Sequence, residues 1–109
     1  MDNEFICKAA LATIYSVKDL SVIKTIDFDN EYYRFVYTQE SIAGKFYEKC
    51  KLKVVGNSVV GFRIDTAGDL IPITLEKINF EIIDDKLVIT TRFDDGRNVA
   101  DKEMVYSTV

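Results

Sequence analysis

The sequence predicts an α+β fold: one N-terminal helix packed on a strongly bent antiparallel meander of six to seven strands. Three observations carry that reading. Apolar residues recur at helical spacing only near the start of the chain, period-two alternation takes over from about residue 20, and turn signals punctuate the alternation every eight to twelve residues. With 109 residues the chain fits one domain, 1–109, large enough to bury a core.

The helix is predicted over residues 3–17. Cys7, Ala10, Leu11, Ile14 and Val17 fall on one stripe. Asp2 or Asn3 supplies the N-cap, Glu4 suits the positive end of the helix dipole, and Ala9, Ala10 and Ala12 allow close approach to a sheet. Residues 20–28 read as a first strand, rich in β-branched Val22, Ile23, Thr25 and Ile26. Asp29-Asn30 is a turn, Glu31–Thr38 a second strand, and 39–44 a looser connection.

Residues 44–55 give the clearest strand. Phe46, Glu48, Cys50, Leu52 and Val54 point inward, while Lys45, Tyr47, Lys49, Lys51 and Lys53 face solvent. Gly56-Asn57 turns the chain into residues 58–65. A two-residue turn sets Lys51 beside Phe62; a three-residue turn pairs Leu52 with Phe62 and Cys50 with Ile64. Apolar matching favours the latter, with Val60, Phe62 and Ile64 inward. The segment 66–74 holds the only proline and breaks the meander. Strands follow near 75–83 and 86–93, joined at Asp84-Asp85 so that Ile82 meets Leu87 and Phe80 meets Ile89. Residues 94–97 form the last turn and 99–106 the last strand.

Composition excludes several functions. Eighteen acidic side chains against 14 basic ones give a net charge of −4, which disfavours a nucleic-acid partner. The chain has no histidine, so a Ser-His-Asp or Cys-His centre cannot form within it, and two cysteines alone cannot close a zinc site. No motif implies a cofactor, a metal or a catalytic residue. The Met-Asp-Asn-Glu start has no signal-peptide features and no apolar run spans a bilayer, so the expectation is a cytoplasmic protein without a membrane partner.

Cys7 on the helix stripe and Cys50 on the inward strand face can meet where helix packs on sheet. They form either a clamping disulfide or two buried free thiols, and a cytosolic setting favours the thiols. Glu48 breaks the inward apolar pattern and must find a partner or stand at the sheet rim; Arg34 and Arg63 lie on neighbouring strands. Aromatics gather on the two strands around Tyr33, Tyr37 and Tyr47. They serve as cross-strand packing or, with Glu48 and Arg63, as a site for a cationic or planar small molecule.

Cys7-Lys8-Ala9-Ala10 followed by Tyr47-Glu48-Lys49-Cys50-Lys51-Leu52, with Asp85-Lys86-Leu87-Val88-Ile89 later, resembles a group of short, uncharacterised bacterial α+β proteins that combine a CKAA-type helix with a YKCKL-type strand. Members of that group often look exported, and this chain departs from them in its start. In size and acidity the chain is also similar in style to small proteins of mobile integron gene cassettes. Neither resemblance implies a catalytic residue.

The leading functional expectation is a non-enzymatic, self-associating binding or interaction domain. The alternative is a small-molecule binding protein or enzyme that uses a Tyr/Glu-lined pocket. Self-association follows from geometry: a helix of about 15 residues spans ~22 Å and is ~10 Å across. Seven strands spread over roughly 30 Å. The sheet must curl around the helix or bury its remainder against a second copy, as a homodimer or a tetramer of dimers.

Overall fold

The computed structural model describes residues 2–72, 78–94 and 99–107. Helix α1 (Asn3–Ile14) is followed by a short 3-10 turn (Leu20–Val22) and eight strands: β1 (Ile23–Phe28), β2 (Tyr33–Ser41), β3 (Gly44–Val55), β4 (Ser58–Ile64), β5 (Leu70–Pro72), β6 (Ile78–Ile83), β7 (Lys86–Asp94) and β8 (Val99–Ser107). Seven strands follow the order β1-β2-β3-β4-β6-β7-β8 in one antiparallel sheet. The sheet curls strongly into a half-barrel around the helix, the predicted α+β architecture. The far side of β4 is shared: its start pairs with β6 and its end with β5. Among the described residues no helix is long and apolar enough to cross a membrane.

Asp2 caps α1, accepting from the Glu4 amide at 2.8 Å. The helix ends three residues earlier than its apolar stripe predicts. Ser16 turns left-handed at φ 59, the Val17 amide reaches back to the Ala12 carbonyl at 2.9 Å, and the Ser16 amide to that of Thr13 at 3.2 Å. These are the two bonds of a Schellman ending, which satisfy the last carbonyls and turn the chain away. Burial is also wider than one stripe. Ile6, Cys7, Ala9, Ala10, Leu11, Ala12 and Thr13 are all buried, because a curled sheet wraps the helix on several sides. Small Ala9, Ala10 and Ala12 let backbone approach backbone, and Phe35, Leu52, Ile78, Leu87 and Ile89 meet them from the concave face.

Two of the sequence expectations change in the sheet. Residues 39–44 are not a loose connection: β2 and β3 pair through to Ser41 opposite Gly44, leaving a two-residue turn at 42–43. The β3–β4 hairpin also uses the two-residue turn, with Val55 opposite Ser58 and Gly56 at φ +63 as the first turn residue. Lys51 therefore faces Phe62, and Val60, Phe62 and Ile64 lie on the convex face, contrary to the apolar matching. The physical reason lies in partners that the matching ignored. Val59 is the residue the core takes, pairing with both Val54 and Ile78. Phe62 finds an edge-on contact with Tyr32 outside, at 6.1 Å, where Lys51 and Lys53 lie over the tyrosine ring at 4.5 and 4.9 Å.

The first predicted strand starts later than expected, since Leu20–Val22 form the 3-10 turn. The segment around the proline contains β5, tolerated because it adds at the outer side of β4 over three residues only. The Asp84-Asp85 turn sets Ile82 opposite Leu87 and Phe80 opposite Ile89, as the pattern predicts. The last strand is present as β8. The start of the strand near 75–83 and the turn at 94–97 fall largely outside the described residues.

Candidate functional site

The two-residue hairpin builds a polar group into the concave wall. On β3 the inward row runs Glu48, Cys50, Leu52; Cys50 and Leu52 are fully buried and Glu48 is 8% exposed. The register sets Arg63 directly opposite Cys50, hence on the same face and diagonal to Glu48. Its Nε lies 3.0 Å from Glu48 Oε1. A three-residue turn would have sent Arg63 to solvent. From the other side, β2 places Tyr37 directly opposite Glu48.

The fourth member comes from the end of the helix. Tyr15 is the residue on which α1 closes, and the left-handed Ser16 carries the chain away beyond it. The Tyr15 ring stacks on Tyr37 with centroids 4.1 Å apart, and its hydroxyl donates to Glu48 Oε2. The same hydroxyl lies 3.7 Å from Cys50 Sγ. Both carboxylate oxygens of Glu48 are thus engaged, one by a guanidinium and one by a phenol, which offsets the cost of burying the charge. Burial, reinforced by the bond to Glu48, holds the Tyr15 phenol well above its ordinary range. Burial also pushes the Cys50 thiol up to about 11 and the Cys7 thiol up to about 12. Both cysteines are free thiols in the structure.

Two clefts flank the stacked tyrosines. One, of about 240 Å³, is lined by Ile14, Tyr15, Glu48, Arg63 and Pro72. The other, of about 500 Å³ and wider, runs along Val17, Val22, Lys24, Tyr37 and Thr38. In the first, Arg63 is the accessible charge: its side chain is 49% exposed, against 8% for Glu48. Among the described residues no group of His, Cys, Asp and Glu is arranged to hold a metal ion.

Of the residues singled out in the sequence, Tyr37, Glu48 and Arg63 come together, and Cys50 lies beneath them. Tyr33 does not join them. It sits opposite Leu52 farther along the sheet, against Phe28 and Phe35 at 4.5 and 6.4 Å. Tyr47 points to the convex face, 61% exposed. Arg34, weighed as a partner for Glu48, instead forms a surface ion pair with Asp27. The member missed was Tyr15. Its four-residue spacing from Leu11 placed it on the flank of the helical stripe and was the available signal.

Compared with known proteins, the chain matches no family model, no curated protein and no solved structure.

Proposed function

We propose that this chain is a non-enzymatic binding domain whose ligand site is the cleft between the end of α1 and strands β3, β4 and β5. The observation that carries the reading is the ion pair of Glu48 and Arg63, with Glu48 buried in the concave wall and Arg63 half exposed at the cleft. A carboxylate set into the wall costs stability unless it is paired. Placed on the floor of a cleft, the pair orients a guanidinium toward whatever enters. The groups around it are poorly suited to chemistry. Glu48 has both oxygens occupied, the Tyr15 phenol is held protonated, and Cys50 is wholly buried with its thiolate disfavoured.

The test is a fragment screen by amide chemical shifts on the full chain, using a mixed set of small carboxylates, amines and neutral aromatics. The expected result is saturable shifts grouped at Ile14, Tyr15, Glu48 and Arg63. Shifts that group elsewhere, or none with any fragment, overturn the reading.

A second reading, self-association into a homodimer or a tetramer of dimers, is favoured by apolar side chains left on the convex face. Val60 on β4, Ile83 on β6 and Val105 on β8 are 36%, 48% and 52% exposed, and Val105 sits beside Val88 on the neighbouring strand. Light scattering at micromolar concentration decides it: a mass of two or four chains supports the assembly, and one 12.5 kDa chain removes it.

A further inference from the structure

We infer that the cleft at the end of α1 takes a small monocarboxylate with a compact apolar body, held through its carboxylate by Arg63; this rests on that cleft being a binding site. The sequence offered a cationic or planar small molecule beside Glu48 and the tyrosines, and the cation is the choice the folded chain disfavours. Glu48 is no longer available to draw one. Its Oε1 faces Arg63 at 3.0 Å, its Oε2 accepts from Tyr15, and only 8% of the side chain is exposed.

Arg63 has the opposite geometry. Its closest approach to Glu48 is through Nε, at 3.0 Å, and its side chain, which lines the cleft, is 49% exposed. Paired terminal N–H groups of arginine match the two oxygens of a carboxylate in a parallel fork. Charge limits the partner further. Glu48 has already balanced one unit of Arg63, so a singly charged carboxylate is tolerated beside it, whereas a dianion such as a phosphate monoester meets the Glu48 charge at short range.

The walls define the remainder of the ligand. Ile14 and Pro72 are apolar, and Tyr15 adds a ring already fixed by its stack on Tyr37. The cleft volume of about 240 Å³ exceeds the ~150 Å³ in which an apolar protein cavity holds a benzene. A ring-sized body with one carboxylate fits, and a drug-sized ligand does not.

The experiment is an amide chemical-shift titration of the full chain with three probes of one shape: benzoate, benzamide and benzylamine. Benzoate is expected to shift the Tyr15, Glu48 and Arg63 amides and to bind about tenfold or more tightly than either of the others, the discrimination a charge-assisted fork provides. Arg63→Gln should erase that preference, Arg63→Lys should retain part of it, and Arg34→Gln, on the convex face, should leave it unchanged. The wild-type ranking of the probes carries the test without any variant, should Arg63→Gln fold poorly. Benzamide or benzylamine binding at these amides as tightly as benzoate overturns the carboxylate class while leaving the cleft a binding site. Silence from all three overturns the carboxylate class, and silence from the wider fragment set removes the binding site itself.

Discussion

The ring of Tyr15, at the close of α1, lies flat against the ring of Tyr37 in β2, 4.1 Å between centroids and 4° from parallel, while its hydroxyl reaches the carboxylate of Glu48 on β3. One side chain thereby fastens the end of the helix to two strands, by packing through its ring and by a hydrogen bond through its oxygen. The two contributions separate by substitution. Tyr15→Phe keeps the stack and leaves Glu48 without its phenol donor, and is expected to cost about 1.5–3 kcal/mol, the range for a hydrogen bond to a charged group. Tyr15→Ala should cost more, because the stack goes as well. Urea denaturation measures both; equal losses would show that the stack contributes nothing.

Alkaline pH should weaken the fold from about pH 9 upward. The Cys7 and Cys50 thiols are raised from an ordinary 9.0 to about 12 and about 11 by burial. Above the unfolded value the unfolded chain loses these protons and the folded chain keeps them. The folded state then binds more protons, so stability falls as pH rises, by at most about 1.4 kcal/mol per pH unit for each group. The raised Tyr15 phenol adds to the slope above pH 10. Denaturation midpoints between pH 8 and 11 should show the decline, and Cys7→Ala should make it shallower. A flat profile in the wild type contradicts the burial of these thiols as the dominant influence on them.

The same burial governs reactivity. In protein purified without oxidant, neither thiol should take up an alkylating reagent while the chain is folded, and both should do so in denaturant under non-reducing conditions. Mass spectrometry reads the added labels. Unlabelled protein two protons lighter in denaturant would establish the disulfide instead.

The helix, the order of the strands and the inward row of β3 were legible in the sequence, since each is a periodicity several residues long. What was not legible depended on single residues. Ser16 in a left-handed conformation ends α1 before Val17, and nothing in Tyr-Ser-Val-Lys marks it as a glycine would. The β3–β4 register hinged on whether Phe62 or Val59 enters the core. Phe62 is the larger apolar residue, yet it is served outside by Tyr32, just before β2, and by Lys51 on β3, and hairpin matching alone does not see Tyr32. The candidate site inherits both misjudgements. Arg63 faces inward only in the two-residue register, and Tyr15 is the residue on which the helix closes. Tyr33 and Tyr47 were grouped with the site by proximity in sequence; the length of the strands and the alternation of faces separate them.

Two threonines should respond to the same substitution with opposite signs. Thr13, buried on α1, donates its hydroxyl to the Ala9 carbonyl at 2.9 Å and lies 3.1 Å from the Tyr106 hydroxyl on β8, so it joins the helix to the last strand. Thr91, on β7 between Ile78 and Lys102, is 1% exposed, and its hydroxyl has no hydrogen-bond partner among the described residues. Valine has nearly the shape of threonine without the hydroxyl. At Thr13 the change leaves the Tyr106 hydroxyl only its weak contact to Met104 Sδ at 3.6 Å, and should destabilise by about 1 kcal/mol. At Thr91 it removes a buried, unpaired polar group at no cost in β propensity, and should stabilise by about 1 kcal/mol. Urea midpoints of the two single variants, compared at constant slope, give the signs directly. Destabilisation by Thr91→Val equal to that by Thr13→Val would mean that the Thr91 hydroxyl is hydrogen-bonded in solution, and would direct attention to the space beside it.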